Sequence, residues 1–88
     1  LSPSWYITVK RFQYLYKLYE KASGDPSIVC RQYAAGKEIG FDTELTDLVA
    51  ADLRDKGLAR FAQQNSGDSS DFDLKISITE KGTEEVKS

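Results

Sequence analysis

The stretch GFDTELTDLVAADLRDKGLARF, Gly40 to Phe61, holds the positions that decide how this chain folds. Gly40 suits a turn that needs a positive φ, and Phe41 behind it supplies an apolar plug for the corner. Asp42 or Thr43 offers the side-chain oxygen that caps a helix start. Leu45, Val49 and Leu53 then recur at helical spacing and mark an inward side, with Thr46, Leu48 and Ala50 at its edges. Lys56 and Gly57 end the helix: a base complements the C-terminal dipole, and a glycine accepts the left-handed cap. Beyond them LARFAQ, Leu58 to Gln63, alternates apolar with polar residues and reads as a strand.

Upstream, AAGKEI predicts a second helix ending at Ile39 and starting near Ser27, with a short extended piece around Ile28 and Val29. Gly36 is small enough to let the following helix pack closely, and Ile39 points to the core. A first helix runs from Trp5 to about Ala22 between the breakers Ser2-Pro3-Ser4 and Ser23-Gly24-Asp25-Pro26. Its periodicity predicts a core stripe of Trp5, Val9, Phe12, Leu15, Tyr16, Tyr19 and Ala22. Ile7, Tyr14 and Leu18 fall on a second apolar face with Arg11 beside them. Either the C-terminal segment covers that face, or it meets a protein partner or a second copy of the chain.

Downstream, NSGDSSD (Asn65 to Asp71) reads as a turn, and FDLKISIT (Phe72 to Thr79) as a second strand with Phe72, Leu74, Ile76 and Ile78 on one face. Thr79 is a good N-cap for a short, fraying last helix. The expected class is α+β, mainly α: three helices, a two-stranded hairpin and a short C-terminal helix.

Composition narrows the chemistry. The 88 residues are 40% apolar and 30% charged, which fits one soluble domain spanning 1–88. Its start at Leu1 and lack of methionine suggest a domain cut from a longer protein. No apolar run approaches the ~18 residues of a membrane span, and LSPSWYITV has no leader character. With no internal disulfide to form, a cytoplasmic home is expected. There is no histidine, and Cys30 is the lone cysteine, so neither a zinc site nor an activated nucleophile is expected. The oxygen-rich DSSDFD lacks the central glycine and closing glutamate of a calcium loop. We expect no enzyme and no cofactor.

The net charge of -2 conceals an asymmetry. Residues 1–37 carry six bases against two acids, whereas residues 38–73 carry nine acids against three bases. Two poles of opposite sign matter more to partners than the total does.

The motifs AAGKEIGFD, LVAADLRDKGLARF and ISITEKG resemble the winged-helix domains of bacterial and archaeal transcription regulators, over about Ile28 to Val86. In that family a helix-turn-helix leads through a glycine-leucine exit into a β-hairpin wing. The resemblance implies that the third helix enters the major groove of double-stranded DNA and that the wing touches the backbone or the minor groove. The reading face becomes Thr43, Glu44, Asp47, Ala51, Arg54 and Asp55, with a wing tip at Ser66 to Asp71. Both are acidic where a polyanion has to be held. Glu44 or Asp47 can still accept from a cytosine amino group, if Arg31, Lys37, Arg54, Lys56, Arg60 and Lys75 hold the phosphates. The alternative is a winged helix that meets protein instead, through its acidic surfaces or through Ile7, Arg11, Tyr14 and Leu18 on the first helix.

Overall fold

A computed structural model describes residues 4–62 and 75–88, the side chains of Ser4, Trp5 and Ala62 excepted. The expected hairpin tip, including Ser66 to Asp71, lies outside the described residues, as do the side-chain directions expected for Trp5, Phe72 and Leu74. The described elements run α1 (Ser4–Ala22), β1 (Cys30–Arg31), α2 (Gln32–Glu38), α3 (Thr43–Asp55), β2 (Ala59–Ala62), β3 (Lys75–Ile78) and α4 (Glu80–Lys87). Three helices, a helix-turn-helix between α2 and α3, and the β2 and β3 strands leading into α4 make this a winged helix.

The α2–α3 turn forms as its residue types demand. Gly40 and Gly57 take φ of +79° and +76°, values that cost an L-residue with a side chain energy. The Asp42 carboxylate accepts from the Leu45 N–H at 2.8 Å, so Asp42, not Thr43, is the cap. Phe41 is buried at the corner and stacks on Tyr14, with ring centroids 6.2 Å apart.

The first helix meets the core along a line between its two expected faces: Leu15 and Ala22 of the expected core stripe are buried, and Tyr14 and Leu18 of the second face join them. By contrast, Val9, Phe12 and Tyr16 are 45%, 48% and 48% exposed. The proposed interface residues Tyr14 and Leu18 are therefore core. The Tyr14 hydroxyl donates to the buried Gln32 carbonyl oxygen at 2.7 Å, and Arg11 forms an ion pair with Asp52 on α3. Periodicity finds both stripes but cannot rank them, because the aromatic stripe is the more apolar of the two. The inward choice follows from what each face can satisfy: one offers a hydroxyl and a guanidinium to waiting acceptors.

Arg11 gives that packing a pH signature. Its hydrogen bond, with the charges of Arg11 and Lys56, holds the Asp52 carboxyl below its ordinary range against partial desolvation. A carboxyl depressed in the fold contributes stability above its unfolded pKa of about 3.9, and that contribution disappears as pH falls through the folded value. Glu38, held down by Lys21, acts in the same window. Denaturant titrations are expected to show a level stability from pH 7 to about 5 and a decline below about 4. Arg11→Met should be less stable at neutral pH with a shallower acid decline, and an unchanged acid slope would refute the assignment.

The second helix is shorter than expected. It starts at Gln32, and Cys30–Arg31 form a strand instead. That strand pairs antiparallel with β3, so the sheet has three strands in the order β1-β3-β2 rather than two. Ile76 and Ile78 point inward from β3, fully buried. On α3 the buried set is Thr46, Val49, Ala50 and Leu53; Leu45 is half-buried, and Leu48 is 54% exposed. The last helix is anchored at its start. Thr79 Oγ1 accepts from the Gly82 N–H at 3.0 Å and donates to the Gly57 carbonyl at 2.7 Å, and Gly82 and Thr83 are buried. Among the described residues no helix is long and apolar enough to cross a membrane.

Candidate nucleic-acid interface

The basic candidates divide between the sheet and the helices. In the sheet register, Arg31 lies opposite Lys75 and Arg60 lies opposite Ser77. Side chains alternate across a strand, so with Ile76 and Ile78 inward, Lys75 and Ser77 face outward, and their cross-strand partners face the same way. Arg31, Lys75 and Arg60 thus share the outer face of the sheet. Arg60 Nε donates to Ser77 Oγ at 3.3 Å, and Ser77 is buried despite pointing outward. The guanidinium is therefore held close to the sheet by β3. Among the described residues of the three strands there is no acid.

The helical candidates are differently occupied. Lys37, exposed in the last turn of α2, lines a cavity of about 240 Å³ with Tyr33, Phe41, Asp42, Thr43 and Thr46. Thr43 and Glu44 stand exposed in the first turn of α3. Asp47 is committed to α2: its Oδ1 accepts from Tyr33 Oη at 2.6 Å and from Gln32 Nε2 at 3.0 Å. Two donors on one oxygen leave less of that carboxylate for a base edge. Arg54 pairs with Asp55 at 3.2 Å and lies over the Phe61 ring at 5.4 Å from its centroid. Lys56 pairs with Asp52 at 3.5 Å. The cations of α3 thus stand beside acids.

Of the interface candidates on α1, Ile7 is half-buried, Arg11 bridges to α3, and Tyr14 and Leu18 are interior. Leu48 was missed. Its companions on the helix surface, Glu44, Ala51 and Asp55, lie four before, three after and seven after it, which is the signal that it faces outward.

No protein-family model matches the chain, and no curated protein does. Among solved structures it is similar to the crystal structure of a probable transcriptional regulator from Pseudomonas aeruginosa, with 23% identity and a TM-score of 0.66. The match covers 89% of this chain and 52% of that one, so the chain spans about half the length of the regulator. At that identity the likeness is one of fold, and it accords with the winged-helix topology.

Proposed function

We propose that this chain is the winged-helix module of a regulator-type protein and that it binds double-stranded DNA chiefly through its sheet. The observation that carries the reading is the clustering of Arg31, Arg60 and Lys75 on one sheet face with no acid on the described strands. Phosphate contacts supply most of the affinity of such proteins, and this is the face able to make them. Lys37 adds a cation beside Thr43, at the helix end that would lie nearest the bases. Glu44 is then the base-edge candidate, accepting from a cytosine amino group. The likeness to a probable transcriptional regulator supports the assignment at the level of fold.

Fluorescence anisotropy with a labelled mixed-sequence duplex tests it. Three to four neutralised phosphates give a logarithmic salt slope near -3, so a fourfold rise in salt is expected to weaken binding by about 60-fold. Reversing Arg31, Arg60 and Lys75 to glutamate should remove binding. Arg54→Glu should weaken it far less, since Arg54 already stands beside Asp55. No binding at low salt would sink the reading.

One observation favours a second reading. Leu48 is exposed in the middle of a face that also carries Glu44 and Asp55, and an apolar anchor ringed by acids fits a basic, amphipathic protein segment better than DNA. Failure to bind any duplex, together with a protein ligand whose binding is lost in Leu48→Lys, would establish that alternative.

A further inference from the structure

Helix α1, the end of α3 and helix α4 line a hollow of about 600 Å³, within the ~300–1,000 Å³ that small-molecule sites occupy. Its floor is apolar. Leu15, Leu53 and Leu58 line it and are core residues, and the half-exposed ring of Phe12 stands at its side. Gly82 and Thr83 seat α4 against the bundle, and Lys81 and Glu85 of the same helix line the hollow with their charged side chains. An apolar floor with a few charged groups around it is the usual build of a site that orients a small ligand.

The charges around the hollow do not cancel. Arg11 comes to it from α1, Lys56 from the end of α3 and Lys81 from α4. One carboxylate serves two of them: Asp52 pairs with Arg11, and Lys56 Nζ lies 3.5 Å from it. Lys81 Nζ donates to the Lys56 carbonyl oxygen at 3.2 Å, a neutral acceptor, and among the described residues no acid pairs with it. Of the two acids on the lining, Asp55 stands 3.2 Å from Arg54, which leaves Glu85 as the opposing charge. With the paired neighbours included, Arg11, Arg54, Lys56 and Lys81 face Asp52, Asp55 and Glu85, a surplus of one positive charge.

We infer that this hollow is a binding site for a small amphipathic anion, a monocarboxylate carried on an apolar body. The apolar body covers Leu15, Leu53, Leu58 and the Phe12 ring, and the carboxylate joins Lys81. An ammonium has three donors and Lys81 spends one on the Lys56 carbonyl, so the other two can reach a ligand without breaking that contact. Charge-assisted hydrogen bonds of this kind are the strong ones. The two halves of the site select the ligand together. A bare phosphate would use the cations and leave the floor unfilled, whereas an apolar cation would gain Glu85 and meet Arg11, Lys56 and Lys81. A ligand held here touches α1, α3 and α4 at once, so it stabilises the folded chain.

Octanoate is the probe, with octylammonium as the control for sign and inorganic phosphate as the control for the apolar body. All three are titrated without DNA, so the outcome is separate from that of the duplex experiment. Amide chemical shifts are expected to show saturable octanoate binding centred on Leu58, Lys56 and Lys81. At ten times its Kd, octanoate should raise the thermal midpoint by about 5–10 °C. Octylammonium and phosphate should each bind at least about tenfold more weakly, and Lys81→Gln should weaken octanoate by about tenfold. Glu85→Gln removes the opposing charge and should tighten octanoate by about twofold. Glu85 is exposed and its carboxylate has no partner among the described residues, so this variant decides the sign even if Lys81→Gln loosens α4. No saturable octanoate binding, shifts centred on Tyr16 and Ile39 instead, octylammonium binding as tightly, or weaker octanoate binding in Glu85→Gln would each overturn the proposal.

Discussion

Gly82→Ala is expected to lower the thermal midpoint by about 10–20 °C. A Cβ at position 82 would lie 2.2 Å from the Leu58 carbonyl oxygen and 2.7 Å from Ile78 Cγ1. Neither neighbour can retreat. The Leu58 carbonyl already accepts from the Thr79 N–H at 3.1 Å, its residue is where the chain leaves α3 for β2, and Ile78 is fully buried in the sheet. The strain is relieved only if α4 lifts, which breaks the Thr79 cap, the Lys81 hydrogen bond to the Lys56 carbonyl and the cover over Thr83. Overpacking against backbone of this kind costs about 3 kcal/mol, and in a domain of under a hundred residues each kcal/mol shifts the midpoint by roughly 4–8 °C. Glu84→Ala, on the exposed side of the same helix, should shift stability by no more than about 0.5 kcal/mol. A Gly82→Ala chain that melts within ~2 °C of wild type would show that α4 is not held as described.

The same glycine shows why parts of this fold could be read from sequence and others could not. Gly40, Asp42 and Gly57 announce themselves because their backbone positions or their hydrogen bond admit few residue types, so the helix-turn-helix and the exit into β2 follow from the letters alone. Helix α4 reads as polar and marginal. Its anchoring depends on Thr79 and Gly82 meeting Gly57 and Leu58, a contact between distant segments that composition does not carry. Two residues of β1 are too few to show alternation, so the sequence showed only a short extended piece near Ile28 and Val29, not a third strand or the register that sets Arg31 opposite Lys75. The cations were individually legible; their grouping on one sheet face required the pairing. On α1 the difficulty was the opposite one, since two good apolar stripes were visible and the core draws on both, burying Leu15 and Ala22 of one and Tyr14 and Leu18 of the other.

Gly36→Ala is the second large effect, and it tests the helix-turn-helix itself. At this crossing α2 and α3 approach so closely that a Cβ on residue 36 would fall 2.1 Å from Thr46 Oγ1, 3.1 Å from its Cγ2 and 3.2 Å from its Cβ. Thr46 is buried, and its hydroxyl has no hydrogen-bond partner among the described residues. It is a short branched side chain in a helix, so rotation exchanges one clash for another rather than removing it. The expected loss is about 2 kcal/mol by overpacking. Thr46→Ala alone should change stability little: it removes an unpaired buried hydroxyl, which is favourable, and leaves a small void, which is not. Combined, the two substitutions should be more stable than their sum by about 1–2 kcal/mol, because the methyl at 36 then occupies the space that Thr46 vacates. An additive pair in urea titrations would mean that the clash is absorbed by separating the helices. Separation has a functional reading as well. Lys37 and Thr43 line one cavity across this crossing, so a Gly36→Ala chain whose helices part should also lose duplex affinity, and the Thr46→Ala background should restore both.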